Sequence, residues 1–162
     1  VYQDEQFRYL TEKLNGYITG AYVYNKMGLT EQVATTITIA TPNPVRRFRF
    51  KNLDIECVKA YSMDYPDESL VPYLRLLDAI KDMKRIPGTT GQDIYNRVKS
   101  QYFNGYSLPE LEKIVSLAKS YPPRVRKVVA DILGDIRQTV LQTEMAKTIL
   151  PTTRFNLDYK TA

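Results

Sequence analysis

Residues 45–58, VRRFRFKNLDIECV, decide the fold because two strand-like runs flank a turn at Lys51-Asn52. With these two residues as the turn, apolar residues oppose apolar residues and arginines oppose carboxylates. The predicted pairs are Phe50–Leu53, Arg49–Asp54, Phe48–Ile55 and Arg47–Glu56. One face of the hairpin is then apolar, with Cys57 as a small buried hydrophobe. The other face carries two ion pairs, and Arg46 and Lys51 lie outside those pairs.

The segment before the hairpin predicts two short helices and one strand. Residues 4–14 place apolar side chains at helical spacing and stop at an Asn-Gly step. Residues 20–27 form the second helix, which Gly28 ends as a left-handed cap. Residues 33–40 alternate and are rich in β-branched side chains, as in a strand. With the hairpin, this strand predicts a small antiparallel sheet of three strands.

The segment after the hairpin is predicted to be helical. An apolar stripe begins after Ser69, the best N-cap, and Pro72 falls in the first turn. Residues 92–103 form the next helix, and the capping box that begins at Ser107 opens the third. The fourth is an amphipathic helix after a double proline at residues 122–123. The expected class is α+β: a three-stranded antiparallel sheet with preceding short helices, followed by a four-helix C-terminal bundle.

The chain length suits a single domain with short appendages. At 162 residues a core forms without disulfides or metals. Residues 1–15 are interpreted as an N-terminal helix that is a remnant or a linker. Residues 16–150 are interpreted as one α+β domain, and residues 151–162 as a C-terminal tail.

The composition argues against catalysis. The chain has no histidine and one cysteine, which removes Ser-His and Cys-His pairs and a thiolate zinc cluster. Asp78 and Asp82 lie four residues apart, but Arg75 and Arg85 nearby favour a solvated charged face over a cation site. We therefore expect no enzyme, metal or cofactor. No apolar run reaches the roughly 18 residues of a membrane span, so we expect a cytoplasmic protein without membrane contact.

The net charge of +5 is uneven along the chain. Residues 43–60 and residues 121–162 each carry a net charge of +3. Such an excess permits contact with phosphates or with an acidic partner. The 13 tyrosines allow a stacking platform for single-stranded nucleic acid, but half-buried tyrosines satisfied through their hydroxyls are the favoured interpretation.

Seven strings in order resemble the AbiEi-type antitoxins of type IV toxin–antitoxin systems. They are GYITGAYVYN at 16–25, MGLTEQV at 27–33, TIAT at 38–41, LLDAIKD at 76–82 with RIP at 85–87, YPPRVR at 121–126, and ILPTTRF at 149–155. Each string is weak alone, and the ordered set is moderately specific.

The resemblance implies a bacterial protein of abortive infection with two roles. One is to counteract a nucleotidyltransferase-like toxin encoded alongside, and the other is to regulate transcription by autorepression on the operator DNA of its own operon. In that family an N-terminal winged helix-turn-helix reads the operator, and a C-terminal domain serves antitoxicity and assists DNA binding. No winged helix is visible before Gly16, and the chain begins at Val1. We therefore expect a C-terminal domain whose operator-reading module is cleaved, omitted or absent.

Five outward basic residues are the binding candidates under this interpretation. They are Arg46, Lys51, Arg124, Arg126 and Lys127. The last three lie in the first turns of a helix, where the N-terminus favours anions. The alternative is a protein-interaction domain whose basic faces bind an acidic partner without nucleic acid.

Overall fold

The computed structural model describes residues 2–43, 46–62, 67–155 and 159. These residues form a four-stranded sheet and seven α-helices, an α+β architecture. The strands are β1 (Tyr17–Thr19), β2 (Thr36–Thr41), β3 (Arg46–Phe50) and β4 (Leu53–Lys59). The helices are α1 (Tyr2–Leu14), α2 (Ala21–Lys26), α3 (Val71–Lys81), α4 (Gly91–Gln101), α5 (Leu108–Ala118), α6 (Pro123–Asp135) and α7 (Thr139–Ala146). The α+β class is therefore confirmed.

The sheet is mixed, so the prediction of three antiparallel strands is wrong. Its strand order is β1-β2-β4-β3, and β2 pairs with β4 in parallel while both outer pairs are antiparallel. The strand that was not predicted, β1, has only three residues, and all of them are buried. So short a segment shows no alternation of apolar and polar residues in the sequence. The hairpin inserts β4 beside β2 because the two strands carry the fully buried apolar positions, such as Ile39 and Cys57.

The hairpin prediction is confirmed in register. Arg47 opposes Glu56, Phe48 opposes Ile55, Arg49 opposes Asp54 and Phe50 opposes Leu53. Strand β3 begins at Arg46, and the predicted first residue, Val45, lies outside the described residues. Cys57 is fully buried, as predicted, and its burial raises the pKa of the thiol. At the turn, Lys51 adopts a left-handed backbone with φ 54°, which is uncommon for a residue other than glycine.

Five helices, rather than the four predicted, follow the sheet. The missed helix is α7, in which only Leu141 and Met145 are buried. The chain reverses between α6 and α7 at Arg137, with φ 65°, so no glycine or proline marks the turn in the sequence. The two helices approach closely at Gly134, where a Cβ would come within 2.5 Å of the Gln142 side chain.

The predicted N-cap at Ser69 is also wrong. Asp67 caps a short 3-10 turn by accepting from the Ser69 amide at 2.9 Å and from its hydroxyl at 2.6 Å. The Ser69 hydroxyl is therefore a donor, and α3 begins two residues later at Val71 with Pro72 in its first turn, as predicted. The capping box at Ser107 and Glu110 is confirmed.

Two apolar clusters cover the two faces of the sheet. Leu10 and Leu14 of α1 pack with Ile37, Ile39 and Ile55 on one face. The larger cluster joins α3–α7 to the other face. The helices α3–α7 cover their face of the sheet at β1 and at the carboxyl ends of β2 and β4. On the same face, Arg47 and Arg49 of β3 remain exposed. Helix α1 thus shares a core with the sheet.

Buried tyrosine hydroxyls connect the sheet to the helices. Asp78 of α3 is 2% exposed and accepts hydrogen bonds from Tyr17 at 2.7 Å, Thr19 at 2.8 Å and Tyr121 at 2.7 Å. Tyr24 donates in the same way to Asp82 at 2.8 Å. The interpretation of these tyrosines as packed side chains with satisfied hydroxyls is confirmed.

Candidate nucleic-acid interface

Helix α1 and strand β3 together form an exposed aromatic surface. Tyr9 of α1 is 49% exposed and stacks on Phe50 of β3 with ring centroids 5.5 Å apart and planes inclined by 19°. Phe48 lies on the same face of β3, two residues before Phe50, and both phenylalanine rings are half-buried. All three aromatic side chains are therefore partly exposed to solvent.

Each of these three rings has a cation beside it. Lys13 lies 5.6 Å from the centre of the Tyr9 ring, and its Nζ donates to the Tyr9 hydroxyl at 3.3 Å. The Arg46 guanidinium lies 4.7 Å from the centre of the Phe48 ring, and the Lys51 Nζ lies 5.6 Å from that of Phe50. Cations in this range are attracted by the electron-rich ring face. We call these six residues the α1–hairpin surface: Tyr9, Lys13, Arg46, Phe48, Phe50 and Lys51.

Local sequence explains why the cations and rings lie side by side. Strand alternation places Arg46, Phe48 and Phe50 on the side of α1. Tyr9 and Lys13 lie four residues apart and therefore share one helix face. This surface includes two of the five predicted binding residues, Arg46 and Lys51. The helical spacing of the apolar residues in α1 leaves Tyr9 and Lys13 on its outward side. No pattern in the sequence indicates that α1 packs against β3.

The opposite face of the hairpin is electrically balanced. Arg47 pairs with Glu56, and Arg49 pairs with Asp54 at 3.2 Å. Both arginine side chains are largely exposed, at 75% and 66%. The predicted cross-strand partners of these two arginines are therefore confirmed, and this face carries little excess charge.

The three predicted residues on α6 take part in internal contacts to different degrees. The Arg126 Nε donates to the Tyr121 carbonyl at 3.0 Å, and its Nη1 donates to the Thr148 carbonyl after α7. Lys127 pairs with the nearly buried Asp131 at 3.2 Å. Arg124 is half-buried, and its Nη2 has no hydrogen-bond partner within the described part of the chain.

Asp78 is a buried carboxyl group, and its contacts are structural. Burial raises its pKa, while the hydroxyls of Tyr17 and Tyr121 favour its charged form. Burial also raises the pKa values of both tyrosines well above the usual range. Both carboxylate oxygens are already occupied by donors, so this cluster connects elements.

The described ranges contain neither a candidate metal site nor a candidate membrane-spanning helix. Among these residues, no group of three or more His, Cys, Asp or Glu side chains could hold a metal ion. Within the same ranges, no helix has the length and apolarity needed to cross a bilayer.

No family model, curated protein or solved structure matches this chain.

Proposed function

We propose that this protein is a non-catalytic binding domain that contacts DNA through the α1–hairpin surface. The observation that carries the proposal is a group of three partly exposed aromatic side chains, each with a cation beside its ring. Bases stack on aromatic side chains, and lysine and arginine neutralise the phosphates between them. Stacking requires unpaired bases, so single-stranded DNA is the expected preferred ligand.

The proposed cellular role is that of the antitoxin expected from the resemblance. The domain would counteract a nucleotidyltransferase-like toxin and support autorepression by holding DNA at the operator of its own operon. Of the five basic candidates, Arg46 and Lys51 belong to the proposed surface. Arg124 and Lys127 remain candidates for an additional phosphate contact, whereas the carbonyl contacts of Arg126 argue for a packing role.

A second candidate function is the binding of an acidic protein partner without nucleic acid. The observation that favours it is the net charge of +3 on residues 121–162, none of which belongs to the α1–hairpin surface. A basic region of this kind attracts an acidic protein surface through complementary charge, without nucleic acid.

Fluorescence anisotropy with a labelled 12-nucleotide single strand and the matching duplex tests the DNA proposal. We expect single-strand binding that weakens log-linearly with salt, with a slope of about −2 for three phosphate contacts. The triple variant Lys13→Gln, Arg46→Gln, Lys51→Gln should flatten that slope and weaken binding at least tenfold.

The matched control removes the same charge from the helical half. Lys113, Lys119 and Lys147 are exposed there, and changing all three to Gln should leave most of the affinity intact. Tyr9→Leu separates stacking from charge and should weaken single-strand binding without changing the salt slope. Equal losses in the two triple variants would mean that the net charge alone, and not this surface, binds DNA.

Co-expression with the toxin encoded beside the gene tests the antitoxin role. Rescue of growth by the wild-type chain and its loss in the Lys13/Arg46/Lys51 variant would link antitoxicity to DNA binding. Rescue that persists in this variant would assign antitoxicity to another surface and favour the acidic-partner alternative.

A further inference from the structure

A cleft opens between α1, β1 and α3, away from the α1–hairpin surface. Its walls are mostly apolar, and two guanidinium groups and one carboxylate lie along it. The lining includes Phe7, Ile18, Val71, Pro72, Arg75 and, at the rim, Arg8 and Glu68. We call it the Arg75 cleft.

Arg75 is a half-buried cation, and among the described residues only its Nε has a hydrogen-bond acceptor. That acceptor is the Ile18 carbonyl, at 2.8 Å. Within the same residues no carboxylate forms an ion pair with the guanidinium, although the negative charge of Asp78 attracts it from a longer distance. Burial nevertheless lowers the pKa of Arg75, because desolvation outweighs that attraction. A guanidinium has five N–H groups, so its Nη groups can bind an anion in the cleft.

The edge of β1 supplies a further donor. β1 is an outer strand of the sheet, and its other edge faces the cleft. Since the Ile18 carbonyl accepts from Arg75, it points away from β2. In an antiparallel pair, the N–H of the same residue points the same way. The Ile18 amide and the Arg75 guanidinium therefore lie side by side at the cleft.

We propose that the Arg75 cleft binds a carboxylate carried on an apolar body. The carboxylate would accept from the Arg75 Nη groups and from the Ile18 amide, and the apolar body would pack against Phe7, Val71 and Pro72. Glu68 at the rim reduces the positive charge, which favours a monoanion over a phosphate dianion. Lys13, Arg46 and Lys51 do not line this cleft, so the inference is independent of DNA binding.

Two matched pairs of probes test the proposal and distinguish the sources of the carboxylate. The pairs are hexanoate with hexanamide, and acetyl-Leu-Ile-Val as its C-terminal acid with the corresponding amide. NMR titration of the wild-type chain should show that the acids shift the Ile18 amide and Arg75 Nε resonances, and that the amides bind at least tenfold more weakly. A peptide acid at least tenfold tighter than hexanoate identifies a chain terminus as the source, and equal affinities identify a small organic acid.

A variant pair then ties binding to the guanidinium. Arg75→Gln should weaken hexanoate binding at least tenfold, whereas Arg97→Gln should have no effect. Arg97 is a suitable control because it also donates to a backbone carbonyl, that of Gly28 at 3.0 Å, outside the cleft. Equal binding of acid and amide by the wild type would overturn the proposal whether or not the Arg75 variant folds. So would the absence of any Ile18 shift up to millimolar acid.

Discussion

At the β3–β4 hairpin, Arg46 and Lys51 lie against aromatic rings at the surface, whereas on α6 Arg126 donates to two backbone carbonyls. The two segments that contain these residues carry the same net charge of +3. In the hairpin, Arg46 and Lys51 lie beside partly exposed rings, while Arg47 and Arg49 pair with carboxylates. On α6, Arg126 links the helix to the segment after α7. Equal charge in the sequence therefore corresponds to a cation–aromatic surface in one region and to packing between helices in the other.

The environment of each cation accounts for this difference. A short, outer strand leaves its side chains at the molecular surface, where a cation remains hydrated. Helix α6 carries seven buried residues, among them Val125 and Val128, and its flanking cations are drawn towards carbonyls and carboxylates at the edge of the core. Burial, rather than local charge density, separates a cation that stays at the surface from one that takes part in packing.

The largest loss of stability is expected at Asp78, which accepts hydrogen bonds from three buried hydroxyls. Asp78→Ala would remove the carboxylate that accepts from the buried hydroxyls of Tyr17, Thr19 and Tyr121. Because each unsatisfied buried group is costly, we expect a loss of about 3–5 kcal/mol in the free energy of unfolding. Urea denaturation followed by circular dichroism measures it, and a loss below about 1 kcal/mol would contradict the role assigned to this cluster.

The same residue makes a prediction about pH. Burial raises the pKa of Asp78 in the folded state, so the folded chain binds its proton more readily than the unfolded chain. The contribution of Asp78 to stability is then greatest below its unfolded pKa and falls as the pH rises through the folded pKa. Asp78→Asn should remove that fall, so the stability difference between wild type and variant should change with pH in this direction. If the free energies of unfolding of wild type and Asp78→Asn change in parallel with pH, the pKa of Asp78 is not raised.

A smaller loss of stability is expected from Arg126→Ala. The change removes two charge-assisted hydrogen bonds, one to the Tyr121 carbonyl before α6 and one to the Thr148 carbonyl after α7. We expect about 1.5–3 kcal/mol, with DNA affinity of the folded fraction unchanged. Thermal unfolding and anisotropy measured on the same sample test both parts. A loss of affinity with normal stability would return Arg126 to the binding surface and remove the contrast with the hairpin.

Removing the two carboxylates from the other hairpin face tests whether DNA affinity can be increased. Asp54→Asn with Glu56→Gln releases Arg49 and Arg47 from their carboxylates. Because surface ion pairs contribute little, we expect a stability loss of only about 0.2–1 kcal/mol. DNA affinity at low salt should increase several-fold, with a steeper salt dependence. An unchanged affinity would confine binding to the face that carries Arg46.

The smallest effect is expected for Lys127→Met. Lys127 pairs with Asp131 one turn later on α6. Such a pair stabilises a helix by about 0.3–0.5 kcal/mol, so the midpoint of urea unfolding should move only slightly. Asp131 also accepts from Tyr159 at 2.7 Å and keeps that partner in the variant. A destabilisation above about 1 kcal/mol would show that the lysine, and not the tyrosine, satisfies the buried carboxylate.

Part of the candidate site could be predicted and part could not. The hairpin register could be predicted because one register pairs apolar residues on one face and opposite charges on the other. That register placed Arg46 outside the ion pairs. The register also directed Phe48 and Phe50 inward, towards a core. That they remain half-open beside Tyr9 depends on how α1 covers the sheet. The Arg75 cleft was equally hidden, because β1 was not recognised as a strand.

The sequence by itself determined the local elements: the hairpin and its ion pairs, the capping box at Ser107, and the buried stripes of the long helices. These follow from side-chain periodicity and from hydrogen bonds between residues close in the chain. Tertiary structure alone decided that β4 lies between β2 and β3, that α7 follows a turn at Arg137, and that one basic segment packs while the other stays open. Such choices depend on which apolar surfaces become buried together, and contacts between distant residues leave no periodic signal along the chain.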